Sequence, residues 1–268
     1  MRGFVLALAF APLFVPTAAP ADPVDVDVEL VLAVDVSRSM DSEEQQLQRQ
    51  GYVAAFTSPE VLQAIADGAI GKVAVTYIEW SGPEYNNVVV PWMAIGRVAD
   101  ANAFVDKLAA APFTRETGTS ISAGLMFAAS LFPDNGFRSE REAIDVSGDG
   151  PNNAGLPVAQ VRDTLIEQGL TINGLPIMLK TAASFDGFAI PNLDDYYRDC
   201  VIGGPGAFMV TISDVAEFPA AIRRKLVQEI SGLSPRVIPA ADTGSADAGG
   251  TDCLVGEKRR RLYNYDFH

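Results

Sequence analysis

The feature that most constrains this chain is a regular alternation of short, nearly unbroken apolar runs with longer segments of helical periodicity. Runs at 29–34, 73–78, 143–146, 171–177 and 207–212 carry few charges, as strands buried on both faces do. Between them, 42–56, 101–110, 120–132, 158–168 and 215–230 repeat apolar residues at helical spacing. This order predicts an α/β fold of the Rossmann-like kind, a three-layer sandwich with a mainly parallel central sheet and helices on both faces. Residues 86–90 follow 73–78 across only the Ser81-Gly82-Pro83 region, so they predict one antiparallel edge strand. Helix starts agree: Ser42 with Gln45 three residues on has the form of a capping box, and Ser120 opens a helix just after Gly118.

At the start of the chain, Arg2 precedes an apolar run at 3–15 that ends in Ala19-Pro20-Ala21. This reads as a secretory signal peptide cut after Ala21. Pro12, Pro16 and Pro20 argue against a buried helix there. The run is shorter than the roughly 20 apolar residues that span a bilayer, and no later stretch is longer. The expectation is an exported protein, periplasmic or secreted, with no integral membrane span. Its formal net charge is −14, and cleavage would remove Arg2 and no acid, leaving −15 on side chains. Such a surface excludes nucleic acid and anionic lipid as natural partners. The basic cluster at 258–261, followed by Leu262, Tyr263, Tyr265 and Phe267, reads as a strand or arm lying back on the acidic body. Cys200 and Cys253 are an even pair in an oxidising compartment, available for a disulfide across about 50 residues. The Gly-, Ala-, Ser- and Asp-rich stretch 240–250 reads as a linker. The organisation expected is a signal peptide at 1–21, one domain at 22–235, and a linker with a C-terminal tail at 236–268.

Binding sites of open parallel sheets form beyond the carboxyl ends of strands, so the residues where apolar runs stop carry the chemistry. The first run ends in Asp35-Val36-Ser37-Arg38-Ser39, where Asp35, Ser37 and Ser39 alternate. A second loop, Thr117-Gly118-Thr119-Ser120, precedes a helix, and a later run ends in Ser147-Gly148-Asp149-Gly150. All the donors are oxygens, and oxygen-only sets select hard cations: Mg²⁺, with Mn²⁺ or Ca²⁺ as alternatives. Neutral hydroxyl ligands leave the ion electrophilic toward one external oxygen, for which a carboxylate of a protein partner is the natural donor. Read singly, these residues are ordinary cap and turn chemistry, and Asp41, Glu43 and Glu44 nearby suit a helix N-terminus better than a metal.

Together, Asp35, Ser37 and Ser39 in D-x-S-x-S, Thr119 in G-T-S-I-S-A-G-L and Asp149 in S-G-D-G resemble the metal-ion-dependent adhesion site of von Willebrand factor type A domains. The resemblance covers about 28–230. It implies that Ser37 and Ser39 bind the metal directly, Thr119 directly or through water, and Asp35 and Asp149 largely through water. Longer phrases, D-V-S-R-S-M-D-S-E-E at 35–44 and Y-Y-R-D-C-V-I-G-G-P-G-A-F at 196–208, are similar to a branch of exported bacterial proteins with this domain. The family pattern more often has Thr where Gly148 stands, so a supporting hydroxyl is missing, with Ser147 next door as a substitute. The likeness also implies a C-terminal helix, here 215–230, that shifts when ligand arrives.

Two other classes compete with this adhesion module. S-G-D-G-P-N-N is similar to a metal-binding segment of haloacid-dehalogenase-like phosphatases, but a metal-dependent hydrolase of that type needs an acid two residues after Asp35, where Ser37 stands. A Ser-His-Asp triad has only His268, the last residue, to draw on, so the reading is not an enzyme. A structural module without functional metal is the third class.

Overall fold

The computed structural model describes residues 22–179, 189–232 and 250–265. The expected signal peptide and nearly all of the expected linker lie outside these residues. The short β1 (Val24–Asp25) leads to β2 (Glu29–Asp35), α1 (Ser42–Phe56) and α2 (Pro59–Ala66). Then come β3 (Val73–Trp80), β4 (Asn86–Ile95), α3 (Val98–Ala110) and α4 (Ile121–Ala129). After β5 (Phe137–Arg138) follow β6 (Glu142–Gly148), α5 (Val158–Glu167), β7 (Thr171–Pro176) and α6 (Leu193–Tyr196), which runs into a π-helical turn, Tyr197–Val201. A 3₁₀ turn, Val215–Glu217, opens α7 (Phe218–Ser231), and α8 is Val255–Tyr265.

Five strands form the central sheet in the order β4-β3-β2-β6-β7. Only the β3–β4 pair is antiparallel. Every residue of β2 is buried, and alternate side chains serve opposite layers. Leu30, Leu32 and Val34 pack with α1, α2, α3 and α7, whereas Val31 and Ala33 pack with α4, α5 and the π-helical turn. Both faces of the middle strands are thus sealed, which is why their sequence lacks a polar alternation. Each such Val, Leu or Ile contributes about 1.5–3 kcal/mol of transfer free energy. One polar cluster lies inside the first layer: Lys225 of α7 sits 2.9 Å from Asp145 of β6 and 2.6 Å from Glu229, all three almost completely buried.

Several expectations need correction. Residues 207–212 form no strand; Met209 and Ile212 make isolated parallel bridges to Gly174 and Ile177. Phe208, Val210 and Ile212 do exchange backbone hydrogen bonds with residues 174–178, but Pro176 has no N–H to donate, so the ladder is interrupted and no continuous strand forms. The capping box of α1 starts one residue earlier than Ser42, at Asp41, whose Oδ1 accepts from the Glu43 and Glu44 amides while Glu44 Oε2 accepts from the Asp41 amide. A carboxylate there also suits the positive end of the helix. The basic segment 258–261 is part of a helix, α8, not a strand or arm, although it does lie on the domain. Two helices are additional: α2, capped by Ser58, and α6 with its π-helical turn. The edge strand and the remaining helices lie where the periodicity predicts, within a few residues.

Candidate metal centre

The strand order reverses at β2, which continues to β3 on one side and has β6 on the other. Such a switch point opens a crevice at the carboxyl ends of the two strands. Asp35 ends β2 and Asp149 follows β6, so the fold brings two carboxylates from residues 114 apart to the same rim. Asp35 is fully buried, and its Oδ1 accepts from the Ser37 amide at 2.7 Å, which folds the chain back over the strand end. Ser37 Oγ lies 2.7 Å from Ser39 Oγ, and Ser39 Oγ donates to Asp149 Oδ1 at 2.7 Å. Ser37, Ser39 and Asp149 therefore form one hydrogen-bonded run of oxygens, and the Ser37 backbone amide ties that run to Asp35.

Thr119 joins by backbone contacts. The Glu116 amide donates to Val36 carbonyl at 3.0 Å, bridging its loop to Ser37. Ser81 Oγ, at the end of β3, holds Gly118 carbonyl at 2.8 Å, and the Ser120 amide donates to Ser81 carbonyl at 2.7 Å. Gly118 has φ +91°, which side chains disfavour, and it lies against Gly82, where an added Cβ would come 2.5 Å from the Thr117 carbonyl oxygen. Asn153, four residues past Asp149, closes the cup: its Oδ1 accepts from the Thr119 amide at 3.1 Å and its own amide donates to Thr119 carbonyl at 2.8 Å. Ser120 then caps α4 as expected, accepting from the Ala123 amide. The stretch before the loop is fixed by Arg49, which pairs with buried Glu79 at 2.6 Å, donates to Ala111 carbonyl at 2.6 Å and stacks on Phe113.

Three parts of the surroundings were not foreseen. Ser147, the substitute hydroxyl next to Gly148, faces the other layer, where Gln48 Nε2 donates to it at 2.6 Å; adjacent strand residues point to opposite faces. The space over Gly148 is taken instead by Tyr197, whose ring is completely buried. Burial first, then the neighbouring Asp35, Tyr196 and Asp149, push its phenol well above the usual tyrosine value. It stays protonated and remains a donor.

The other unforeseen part is α8. A disulfide joins Cys200, on the π-helical turn, to Cys253, with Cα atoms 5.5 Å apart. It delivers α8 to the rim: Gly256 packs so closely on Asn152 that a Cβ would lie 2.1 Å from the Asn152 carbonyl oxygen. Glu257 accepts from Asn152 Nδ2 at 2.7 Å, and Arg260 Nη1 lies 3.3 Å from Asn153 Oδ1, beside Gly118. Residues 152–153 and 196–197 were legible only as part of longer phrases; nothing in their spacing marks contact with Asp35 or Asp149.

Among the described residues no cluster of three or more His, Cys, Asp or Glu side chains has metal-binding geometry. The cup is of another kind, two carboxylates with hydroxyls, and that donor chemistry fits a hard cation rather than Zn²⁺ in a thiolate or imidazole site.

A family model described as a protein of unknown function (DUF1194) matches residues 25–234. The chain belongs to that family. No curated protein sequence matches it. Among solved structures, proximal thread matrix protein 1 from the mussel byssus superposes with a TM-score of 0.56 at 14% identity, over 79% of this chain and 49% of that one. The pilus adhesin SpaC from Lactobacillus rhamnosus GG, in its open conformation, gives 0.55 at 16% identity over 79% of this chain and 30% of that one. A von Willebrand factor type A protein from Catenulispora acidiphila gives 0.52 at 14% identity, over 77% and 43% of the two chains. The fold is von Willebrand factor A-like. This DUF1194 member spans about half or less of the length of these neighbours, and among its described residues no helix is long and apolar enough to cross a membrane.

Proposed function

We propose that this protein is an exported binding module that grips an acidic group of a protein partner through a divalent cation, Mg²⁺ by preference with Mn²⁺ or Ca²⁺ as alternatives, held by Asp35, Ser37, Ser39, Thr119 and Asp149. The observation that carries the reading is the run of oxygens from Ser37 through Ser39 to Asp149, tied to Asp35 by the Ser37 backbone amide, at the switch point of the sheet. When bound, the ion supplies an electrophilic position to which an external carboxylate oxygen can attach. The residues do the rest: the strand ends preset the spacing, and the hydroxyls contribute oxygens without neutralising the charge. Arg260 at the rim, within a protein of strongly negative net charge, adds local positive potential that favours an acidic ligand. Two neighbours of the same fold are named as an adhesin and a thread matrix protein, which agrees with a binding role.

The hydrolase reading has no acid where phosphatase chemistry needs one, since Ser37 stands two residues after Asp35 and is engaged with Ser39. Calorimetry and melting with MgCl₂ test the proposal on the protein lacking residues 1–21. At 100 times Kd the ion should stabilise the fold by about 2.7 kcal/mol. Asp35→Ala and Ser39→Ala should lose both heat and shift. Pull-downs from envelope extract should then retain partners only with wild type and Mg²⁺, not with EDTA. Equal recovery by wild type and Asp35→Ala would refute metal-mediated capture.

A further inference from the structure

The phrase Y-Y-R-D-C at 196–200 has no role in the proposal above, yet it sends one side chain into the metal centre. Tyr197 is 0% exposed, and its hydroxyl has no hydrogen-bond partner among the described residues. A buried phenol in that state is costly, because it has given up water and received nothing in exchange. Two glycines on adjacent strands make room for it. A Cβ on Gly174 of β7 would lie 2.8 Å from Tyr197 Cδ1, within the ring. A Cβ on Gly148 of β6 would lie 3.0 Å from the Tyr197 hydroxyl and 3.0 Å from Asp35 Oδ2. Gly148 pairs with Pro176, two residues beyond Gly174, so both glycines face the same layer. The ring therefore lies across the sheet along a track without side chains, and its hydroxyl ends beside the Asp35 carboxylate.

We infer that Tyr197 is a positioning residue of the metal centre: its phenol supplies, from a helix across the sheet, the hydroxyl that Gly148 removes from the strand. Resting on the metal reading above, this assigns Tyr197 the task of donating a hydrogen bond to the Asp35 carboxylate or to a water that Asp35 holds on the ion. The donor fixes which lone pairs of Asp35 remain for that water, as outer partners of a ligand set do. Local geometry serves the same end. Tyr197 opens a π-helical turn, a widened helix form that recurs at functional sites, and Cys200 in the same turn is tied to Cys253. The crosslink keeps the ring seated over Gly174.

The test compares wild type, Tyr197→Phe, and Tyr52→Phe as a control for loss of a buried phenol hydroxyl on the opposite layer. Each protein lacks residues 1–21 and is titrated calorimetrically with MgCl₂ and with MnCl₂, and each is melted in EDTA. For Tyr197→Phe the expected result is affinity weakened about tenfold. Its melting temperature in EDTA should be unchanged or higher, since the unpartnered hydroxyl is gone. Wild type should also show a tyrosine ultraviolet difference signal on adding Mg²⁺ that Tyr197→Phe lacks, and Tyr52→Phe should bind Mg²⁺ as wild type does. If wild type and Tyr197→Phe bind with equal affinity, Tyr197 has no such role while the metal reading stands. A parallel fall in affinity and in the EDTA melting temperature would mark Tyr197 as merely structural and overturn the inference. If wild type binds neither ion, the metal reading fails and this inference with it.

Discussion

Glu229→Gln gives a sharp test of the buried cluster that fastens α7 to β6. Glu229 lies 2.6 Å from Lys225, which is also 2.9 Å from Asp145, and all three side chains are at most 1% exposed. One cation faces two carboxylates in a site that water does not reach. Burial above all, and then repulsion from Asp145, outweigh the attraction of Lys225 and push Glu229 from its ordinary 4.5 to about 8. At neutral pH the folded protein therefore holds a proton on Glu229 that the unfolded chain has released. A raised carboxylate has a definite sign: its contribution is fully present below the unfolded value and is lost as pH rises through the folded one. The window is about three and a half pH units, and each unit corresponds to about 1.4 kcal/mol, so wild type should lose about 5 kcal/mol between pH 4.5 and 8 through this group. Glutamine keeps the shape and cannot ionise. Urea unfolding at half-unit steps should show the variant gaining on wild type steadily across that window, with the two curves parallel below pH 4. Glu29, also raised by burial, lies outside this cluster and cancels in the difference, whereas Asp145 titrates together with Glu229 and contributes to it. Parallel curves from pH 4.5 to 8 would refute the assignment of the proton to Glu229. Lys225→Met should act oppositely, costing about 3–5 kcal/mol at pH 7 by leaving the ionised carboxylate of the cluster buried without a cation.

Two further perturbations follow from the packing. Replacing Cys200 and Cys253 by Ser opens a loop set by a sequence separation of 53, for which chain entropy gives about 4 kcal/mol; oxidised and serine proteins with the same urea midpoint would contradict this. Hydrogen exchange should in addition show α8 losing protection first in the serine protein. Gly124→Ala, in the interior of α4, should destabilise by about 1–3 kcal/mol, because the new Cβ would lie 2.8 Å from Trp80 Cγ, even though alanine is the better helix former by about 1 kcal/mol. A rise in melting temperature, with unchanged tryptophan emission, would show that this contact is not tight.

Much of the candidate site was legible because its residues stand where apolar runs stop. Asp35, Ser37 and Ser39 alternate along one loop, and Asp149 follows a run with glycines beside it, so local pattern and general strand-end geometry identify them. The position of Tyr197 was not legible, since its meaning depends on two glycines, 148 and 174, that only the register of β6 with β7 sets side by side. Ser147 shows the same limit from the other side: its spacing suggests a hydroxyl near the cup, whereas the pleat turns it toward Gln48.

By itself, the sequence determined the layer order, the helices of marked periodicity and the oxygen-only character of the strand ends, because buried parallel strands and amphipathic helices each leave a local periodic signature. Only the tertiary structure decided that 207–212 meets β7 in isolated bridges beside Pro176, that Asp41 rather than Ser42 caps α1, and that α8 is bound to the rim with Arg260 beside Gly118. Those outcomes depend on contacts between segments far apart in the chain, and no periodicity within a segment encodes which distant surface will meet it.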